Sequence, residues 1–283
     1  MAPATGALVP VGPRVGRRLR PAALGGPVLT ALVQAGEMVG LLGEVLYSAV
    51  RHPSGYWGQV GERMFEILRL CWIPMTVSCA AFGFGAPGLQ GGNFMNLFGM
   101  PERLGAFFIM ASVREFAPWI NAMVVAGVIG TAITADLGAR RIREEFDAME
   151  VLGVDPVREI ILPRIIAVTL MTGLLDVVAL VFGIVGGWFA AFELGATSDA
   201  FFASFWNNAT TVDLAGSVLK TFVFGLIVAT VCAYKGYRTE GGPIGVGKAV
   251  NQAVVIAFAA IYAVNYVFTA LLLGLNPYMQ VYR

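Results

Sequence analysis

The sequence predicts an all-α polytopic membrane protein, and two observations support that prediction. Hydrophobic residues make up 57% of the 283 residues, and only 13% of the residues are charged. A soluble domain of this length cannot bury so much apolar surface. In addition, five apolar stretches each supply the ~20 residues that a helix needs to cross a bilayer. We place these five spans at 64–86, 105–135, 161–192, 214–235 and 250–274.

The region before the first span divides into two parts. Residues 1–27 are rich in proline, glycine and arginine, which predicts a flexible basic cytosolic arm. Residues 28–50 are apolar except for a stripe that recurs at close to helical spacing, which suits a helix lying in the membrane interface. The stripe consists of Gln34, Glu37, Glu44, Ser48 and Arg51. A sixth span is the alternative, but it would place arginines outside, against the positive-inside tendency. We therefore assign residues 28–63 to interfacial amphipathic helices.

The distribution of lysine and arginine predicts the topology. The loops at 136–164 and 235–249 are basic, whereas those at 87–104 and 193–213 hold only Arg103 between them. Cytosolic loops carry the excess of positive charge. We therefore expect a multi-pass protein of the plasma (inner) membrane. Its N-terminus and both basic loops would be cytosolic, and residues 276–283 would form a short external tail.

The loop between the second and third spans, residues 137–163, contains an amphipathic helix. Ile142, Phe146, Met149 and Leu152 recur at helical spacing, and Gly153 is placed to end the helix. One interpretation is a cytosolic coupling helix that a soluble partner can push. The other is a solvated loop whose apolar side rests on the protein's own spans. The pattern alone leaves both open.

Four charged residues fall within or near the spans, where lipid makes each of them costly. Arg114 and Glu115 lie in the second span, Asp176 in the third and Lys220 in the fourth. They could line a substrate path or proton relay, or they could pair between helices. Pairing is the favoured interpretation for Asp176 and Lys220, and both remain open for Arg114 and Glu115.

Three glycines of the third span, Gly183, Gly186 and Gly187, would allow a neighbouring helix to approach closely.

The segment from Gly242 to Lys248 nearly matches a phosphate-binding loop. However, Ala249 stands where that motif needs a hydroxyl to hold magnesium. We expect a tight glycine turn between the fourth and fifth spans instead.

The composition argues against catalysis by this chain. His52 is the only histidine, so no catalytic triad containing histidine and no histidine-based metal site can be assembled. A net charge of +1 argues against a nucleic-acid partner. We expect no cofactor or metal in this chain, and any ATP and magnesium would be bound by a partner.

Several motifs in order resemble the MlaE/YrbE permeases, the membrane subunits of lipid ABC transporters that work with MCE-domain proteins. The motifs are Glu115-Phe-Ala-Pro118, Ala126-Gly-Val-Ile-Gly-Thr-Ala-Ile-Thr-Ala-Asp-Leu-Gly138, Glu145-Phe-Asp-Ala148, Gly153-Val-Asp-Pro156, Leu162-Pro-Arg164 and Gly241-Gly-Pro-Ile-Gly-Val-Gly-Lys-Ala-Val250. Together they cover most of residues 105–275. The N-terminal arm makes the chain most similar to the actinobacterial members encoded beside Mce genes.

The resemblance implies a permease that works as a homodimer or heterodimer, with a cytosolic ABC ATPase dimer below and an MCE-domain hexamer outside. It implies lipid transport, with import as the expected direction. The loop helix would dock into the ATPase. The residues expected to couple to the ATPase are Arg141, Glu144, Glu145, Phe146, Asp147, Met149, Glu150, Gly153 and Pro156.

A lipid cavity at the dimer interface is also implied by the resemblance. The candidate lining residues are Phe65, Trp72, Phe82, Phe84, Glu115, Tyr262, Asn265 and Tyr266. Asn265 stands where many relatives are expected to have an aspartate. Fatty acids, phospholipids, mycolic-type lipids and sterols all suit such a cavity. An ion-coupled secondary transporter using Glu115 and Asp176, and a passive anchor of a lipid-transfer complex, are the alternative functions.

Overall fold

The computed structural model describes residues 26–51, 53 and 55–277, and every regular element within them is helical. The α-helices are α1 (Pro27–Arg51), α2 (Trp57–Gly83), α3 (Gly91–Leu97), α4 (Leu104–Phe108), α5 (Ala117–Val125), α6 (Thr131–Ile142), α7 (Glu145–Val151), α8 (Leu162–Glu193), α9 (Ser198–Asn208), α10 (Thr211–Tyr237) and α11 (Gly242–Leu275). Wider π-helical turns join several of them into longer helices. Most of the predicted arm, His52 and residues 278–283 of the predicted tail lie outside the described residues.

Six helical stretches of the described chain are long and apolar enough to cross a membrane. Five of them contain the predicted spans, and the sixth is in α1. The helices extend beyond the predicted spans, so that residues 57–97 form one helical run. The prediction of an all-α polytopic membrane protein is therefore confirmed. Residues 57–63, which we grouped with the interfacial helices, are the first turns of this run.

The polar stripe of α1 contacts one end of the helical bundle. Lys235 Nζ donates a hydrogen bond to Gln34 Oε1 at 3.0 Å. Ten residues further along α1, Glu44 interacts electrostatically with Asp155 and Arg238 at the same end of the bundle. A helix crossing the membrane beside α10 would have moved about 15 Å along the bundle over that distance. These contacts favour the interfacial placement of α1, which stays a prediction.

Two prolines explain departures from regular α-helix. The π-helical segment Ile109–Phe116 ends just before Pro118, and the segment Val157–Ile161 ends just before Pro163. Proline has no N–H to donate, and its ring displaces the carbonyl of the preceding turn, so the helix widens there. One consequence is that Glu115 lies on a widened turn within the second predicted span.

Helices α2 and α8 pack backbone to backbone. A Cβ atom on Gly186 would lie 2.2 Å from the carbonyl oxygen of Ala80, and one on Gly83 would lie 2.3 Å from that of Gly183. No real side chain fits at such distances, so glycine is required for this approach. The predicted close packing of the third span is confirmed.

Different contacts join the helices at the two ends of the bundle. At the end that carries the basic loops, which we call the basic end, Thr134 Oγ1 donates to the carbonyl oxygen of Cys232 at 3.1 Å and joins α6 to α10. At the opposite end, the rings of Phe108 and Phe201 lie 6.0 Å apart and join the α4 region to α9. The basic loops between α6 and α8 and between α10 and α11 therefore lie at the same end.

The predicted glycine turn at 242–248 is wrong in its position. Helix α11 begins at Gly242, so most of this segment is helical. The turn comes earlier, where Gly241 and Gly242 take the left-handed φ values of 89° and 67°. Pro243 then occupies the first turn of the helix, where its missing N–H has no intrahelical partner to lose.

Helix α9 lies in a region that we predicted only as a loop. Thr197 Oγ1 accepts a hydrogen bond from the Ala200 N–H at 3.3 Å and caps the start of α9. Thr210 and Asp213 form a reciprocal capping box at the start of α10. These caps are readable in the sequence, but a helix of 11 residues is too short for the span search that we applied.

Candidate functional site

Helix α7 sits in the basic-end loop between two sharply defined turns. Glu144 joins α6 to α7 in the left-handed conformation, with φ 58° and ψ 22°. At its other end, the Val154 N–H donates to Met149 O at 2.9 Å and the Gly153 N–H donates to Glu150 O at 3.0 Å. This pair of bonds is a Schellman motif, with Gly153 at φ 76°. The prediction that Gly153 ends the helix is confirmed.

Ion pairs tie α7 to its neighbours. Arg140 pairs with Asp136 at 3.3 Å and with Glu145 at 3.2 Å, and Arg143 pairs with Glu145 at 2.8 Å. Arg164, at the start of α8, pairs with the same Asp136 at 2.5 Å. A force on α7 would therefore be passed to both α6 and α8.

The apolar stripe of the loop divides between two surroundings. Phe146 has no exposed surface, and its ring lies 5.1 Å from that of Tyr237. Met149 is half-buried against the same core. In contrast, Val151 and Leu152 are 88% and 79% exposed. Phe146 therefore anchors the helix to the bundle and cannot itself touch a partner, while Val151 and Leu152 can.

Acidic side chains flank these exposed residues. Glu144 and Glu150 are exposed, and Asp147, which is also exposed, pairs with Arg141 at 2.7 Å. Pro156 is buried where the chain turns back into the bundle. We call the exposed group of Asp147, Glu150, Val151 and Leu152 the acidic–apolar tip. Our residue list missed Val151 and Leu152, although Leu152 is part of the helical stripe.

A second candidate site lies within the helical bundle, around Glu115. Its Oε2 accepts a hydrogen bond from Asn265 Nδ2 at 2.6 Å, and its Oε1 accepts one from Thr269 Oγ1 at 2.6 Å. Lys220 Nζ lies 3.4 Å from Oε1 and donates to Arg114 O at 2.6 Å. The Glu115 side chain is nevertheless 32% exposed. Its carboxylate is thus held by three side chains, while about a third of the Glu115 side chain remains exposed.

Unlike Glu115, Arg114 is buried in an ion pair between helices. Its Nε lies 2.6 Å from Asp213 Oδ1, and both side chains are buried. Of the two interpretations left open for Arg114, interhelical pairing is the one that the structure supports. The same holds for Lys220, which joins three helical segments.

Aromatic rings extend the surface beside Glu115. The ring of Phe82 lies 5.0 Å from that of Phe116, and the ring of Trp119 lies 5.2 Å from that of Tyr262. Phe116 and Trp119 are themselves 6.5 Å apart, so the four rings are continuous. We call this group, with Glu115 and Asn265, the polar–aromatic surface.

The structure brings together only some of the predicted lipid-path residues. Phe82, Glu115, Tyr262 and Asn265 belong to the polar–aromatic surface. Trp72 instead lies 6.3 Å from Phe182 of α8. Among the described residues, three other candidates form no ring pair with this surface: Phe65, Phe84 and Tyr266. Phe65 lies 17 residues before Phe82, about 25 Å along a helix.

Sequence reasoning left four residues of this region out of the predicted site: Phe116, Trp119, Lys220 and Thr269. A signal for two of them was present. Trp119 follows Glu115 by four residues and Thr269 follows Asn265 by four, which places each pair on one helix face. The partners of Lys220 are separated from it by up to 106 residues and carry no local signal.

The fold, the anchored loop helix and the polar–aromatic surface define a polytopic helical membrane protein of the permease type. The chain belongs to the MlaE permease family, whose model, described as Permease MlaE, matches residues 60–271. The resemblance seen in the motifs is therefore confirmed at the level of the family.

Individual relatives agree with this assignment. The chain is 28% identical over 201 residues to a probable ABC transporter permease protein of Rickettsia typhi, covering 71% of this chain and 78% of that protein. It is 34% identical over 170 residues to one of Synechocystis sp., covering 60% and 65%. It is 27% identical over 189 residues to the intermembrane phospholipid transport system permease protein MlaE of Haemophilus influenzae, covering 66% and 72%.

Proposed function

We propose that this chain is the membrane permease subunit of an ATP-driven lipid transporter, with ATP and magnesium bound by a separate cytosolic ATPase dimer. The observation that carries the proposal is the acidic–apolar tip, anchored to the bundle of an MlaE-family chain. Relatives are named as ABC transporter permeases, and one is named for phospholipid transport. We take phospholipids as the first substrate class to test.

The tip has the chemistry of a docking surface. Val151 and Leu152 are exposed at the basic end, which the positive-inside tendency places in the cytosol. Exposed apolar area is unfavourable by roughly 25 cal/mol per Å² until a partner covers it. Asp147 and Glu150 add negative charge beside it. We infer a partner pocket with an apolar floor and a basic rim.

The anchoring of α7 explains how docking would move the membrane part. Phe146 packs against Tyr237 of α10, and Glu145 is paired with Arg140 and Arg143 at the end of α6. Closure of the ATPase dimer on ATP would therefore displace α7 together with α6 and α10. Arg141, through its pair with Asp147, supports the tip from the same side.

The polar–aromatic surface is our candidate for the lipid path. Two of its buried polar atoms, Trp119 Nε1 and Asn265 Oδ1, have no hydrogen-bond partner within the described part of the chain. One is a donor and the other an acceptor, so a lipid headgroup would satisfy both once the side chains that cover them move aside. The neighbouring rings supply apolar contact for acyl chains.

A second permease, identical or similar, would complete this path. Most of α11 is not covered by its own chain, and Tyr262, Tyr266 and Leu271 expose large apolar side chains. Exposed apolar area of this kind faces lipid or another subunit. We propose that an MCE-domain hexamer lies at the opposite, external end and delivers lipid for import across the plasma membrane.

The test is co-purification followed by reconstitution. The chain, extracted from its native membrane in mild detergent, should bring an ATPase, a permease and MCE-domain proteins that mass spectrometry can identify. In vesicles, Leu152→Asp should abolish ATPase association and lipid movement. The matched control is Leu97→Asp, because Leu97 is equally exposed but lies at the opposite end. Lipid movement by the chain alone, without an ATPase, would show the proposal to be wrong.

A further inference from the structure

Asp176 is a buried carboxyl group that the proposed mechanism does not use. It lies on α8 and has no exposed surface, and its Oδ2 accepts a hydrogen bond from Ser217 Oγ of α10 at 2.7 Å. The other oxygen, Oδ1, has no hydrogen-bond partner among the residues that the structure describes. The side chains of Asn121 and Thr221 adjoin the same carboxyl group. Such an oxygen needs a donor, because a buried acceptor without one is strongly disfavoured.

Asn121, on the facing helix α5, also has a buried acceptor oxygen that lacks a donor among the described residues. It is fully buried on α5, and its Nδ2 donates to the carbonyl oxygen of Thr172 at 2.8 Å. Its Oδ1 is a second buried acceptor without a partner in the described chain. Two acceptor oxygens cannot satisfy each other. Because the Asn121 side chain adjoins the Asp176 carboxyl, a hydrogen atom on one oxygen that is donated to the other would satisfy both.

Among the described residues, Asp176 has no cation within ion-pair distance, and Lys220 attracts its carboxylate only from further away. Lys220 is directed at Glu115, the carbonyl oxygen of Arg114 and the Thr269 hydroxyl. Arg114 is paired with Asp213. These two pairs are each neutral. Cys79 of α2, the remaining titratable group that faces Asp176, adds no positive charge. Within the described residues, no lysine or arginine nitrogen lies within 4.0 Å of the Asp176 carboxyl.

We propose that Asp176 carries a proton, and that this proton, on Oδ1, is donated to Asn121 Oδ1. An unpaired carboxylate in the middle of a membrane bundle is strongly unfavourable, whereas the neutral acid is not. The neutral acid accepts from Ser217 and donates to Asn121. It therefore joins α5, α8 and α10 through one side chain, and the Oδ1 atoms of Asp176 and Asn121 both take part in a hydrogen bond.

Infrared difference spectroscopy tests this directly on the full chain in lipid nanodiscs at neutral pH. The spectrum of the wild type minus that of Asp176→Asn should show the C=O stretching band of a protonated carboxyl group. The band should shift to lower frequency in deuterated buffer. The control, Asp199→Asn, removes an exposed acid on α9 and should remove only carboxylate bands. Loss of only carboxylate bands in Asp176→Asn would overturn the inference.

A second variant keeps the inference testable if Asp176→Asn does not fold. Ser217→Ala retains the acid and removes one of its hydrogen bonds, so the protonated-carboxyl band should remain and move to higher frequency. A protonated-carboxyl region unchanged by Ser217→Ala would contradict the assignment. Neither experiment depends on the transported substrate or on the ATPase, so both are independent of the proposed function.

Discussion

Arg114 and Asp213 form a buried ion pair between residues 99 positions apart, with Nε and Oδ1 separated by 2.6 Å. The exposed fractions of the two side chains are 9% and 2%. Asp213 also closes the capping box of α10 with Thr210. The pair therefore joins the widened turn beside Glu115 to the beginning of α10, and it determines how these two segments of the bundle meet.

Removing one partner of this pair should be strongly destabilising. Asp213→Asn leaves the Arg114 charge buried without its carboxylate, and we expect the free energy of unfolding to fall by about 3–5 kcal/mol. Thermal unfolding in detergent measures the change. In a double-mutant cycle with Arg114→Met, the double variant should lose less than the sum of the two single variants. Additive losses would show that the pair contributes no coupling. Asp199→Asn is the exposed control and should be nearly neutral.

The contact between α2 and α8 predicts a steric effect at Gly186. Gly186→Ala places a methyl group where Ala80 O lies 2.2 Å away, so the helices must separate, at a cost of about 1–3 kcal/mol. Gly127→Ala is the matched control, since no atom lies within 4 Å of its added Cβ. That control should be neutral or stabilising by about 0.5–1 kcal/mol. Equal melting temperatures for the two variants would exclude backbone contact as the cause.

Charge reversal in α7 should have two distinguishable effects. Glu150→Lys changes an exposed residue of the tip, and we expect about tenfold weaker ATPase association with unchanged thermal unfolding. Glu145→Lys places a third cation beside Arg140 and Arg143, so it should also loosen the loop itself. Limited proteolysis between α6 and α8 measures that loosening. Faster cleavage in Glu150→Lys, or unchanged cleavage in Glu145→Lys, would contradict these roles.

Trp119→Phe tests the polar–aromatic surface. Phenylalanine keeps the ring beside Tyr262 but removes the indole N–H, which has no protein partner among the described residues. We expect weaker lipid binding with thermal stability within about 0.5 kcal/mol of the wild type. Trp188→Phe is the counterpart, because its indole N–H donates to Ser198 Oγ at 2.9 Å. It should lose about 1 kcal/mol of stability and bind lipid normally. Native mass spectrometry of retained lipid gives the comparison.

Local sequence patterns were sufficient to predict features that depend only on residues close together in the chain. The five predicted spans follow from runs of apolar residues, and the stop at Gly153 follows from its ability to take positive φ. A close approach of some neighbouring helix to α8 was predicted from the glycines of α8, but α2 was not identified as that neighbour. Its partner atoms, such as Ala80 O, could not be predicted, because glycine spacing does not specify what approaches.

Predictions of the role of a single residue were weaker where a distant segment of the chain covers its side chain. Phe146 has the spacing of a docking residue, yet its ring is buried against Tyr237, 91 positions later in the chain. Leu152 continues the same stripe and is exposed. The difference arises because α7 is short: Phe146 and Met149 contact the bundle, whereas Leu152 follows the last helical residue, Val151.

The sequence by itself determined the membrane class, the five spans, the end of the bundle that carries the positive charge and, through its motifs, the permease family. Each of these depends on composition or on short-range spacing. Only the tertiary structure decided that Arg114 pairs with Asp213, that Lys220 contacts Glu115 and that, among the described residues, Asp176 has no cation within 4.0 Å. These outcomes depend on which helices become neighbours, because a charge in a bundle is stabilised by whatever the facing helices present to it.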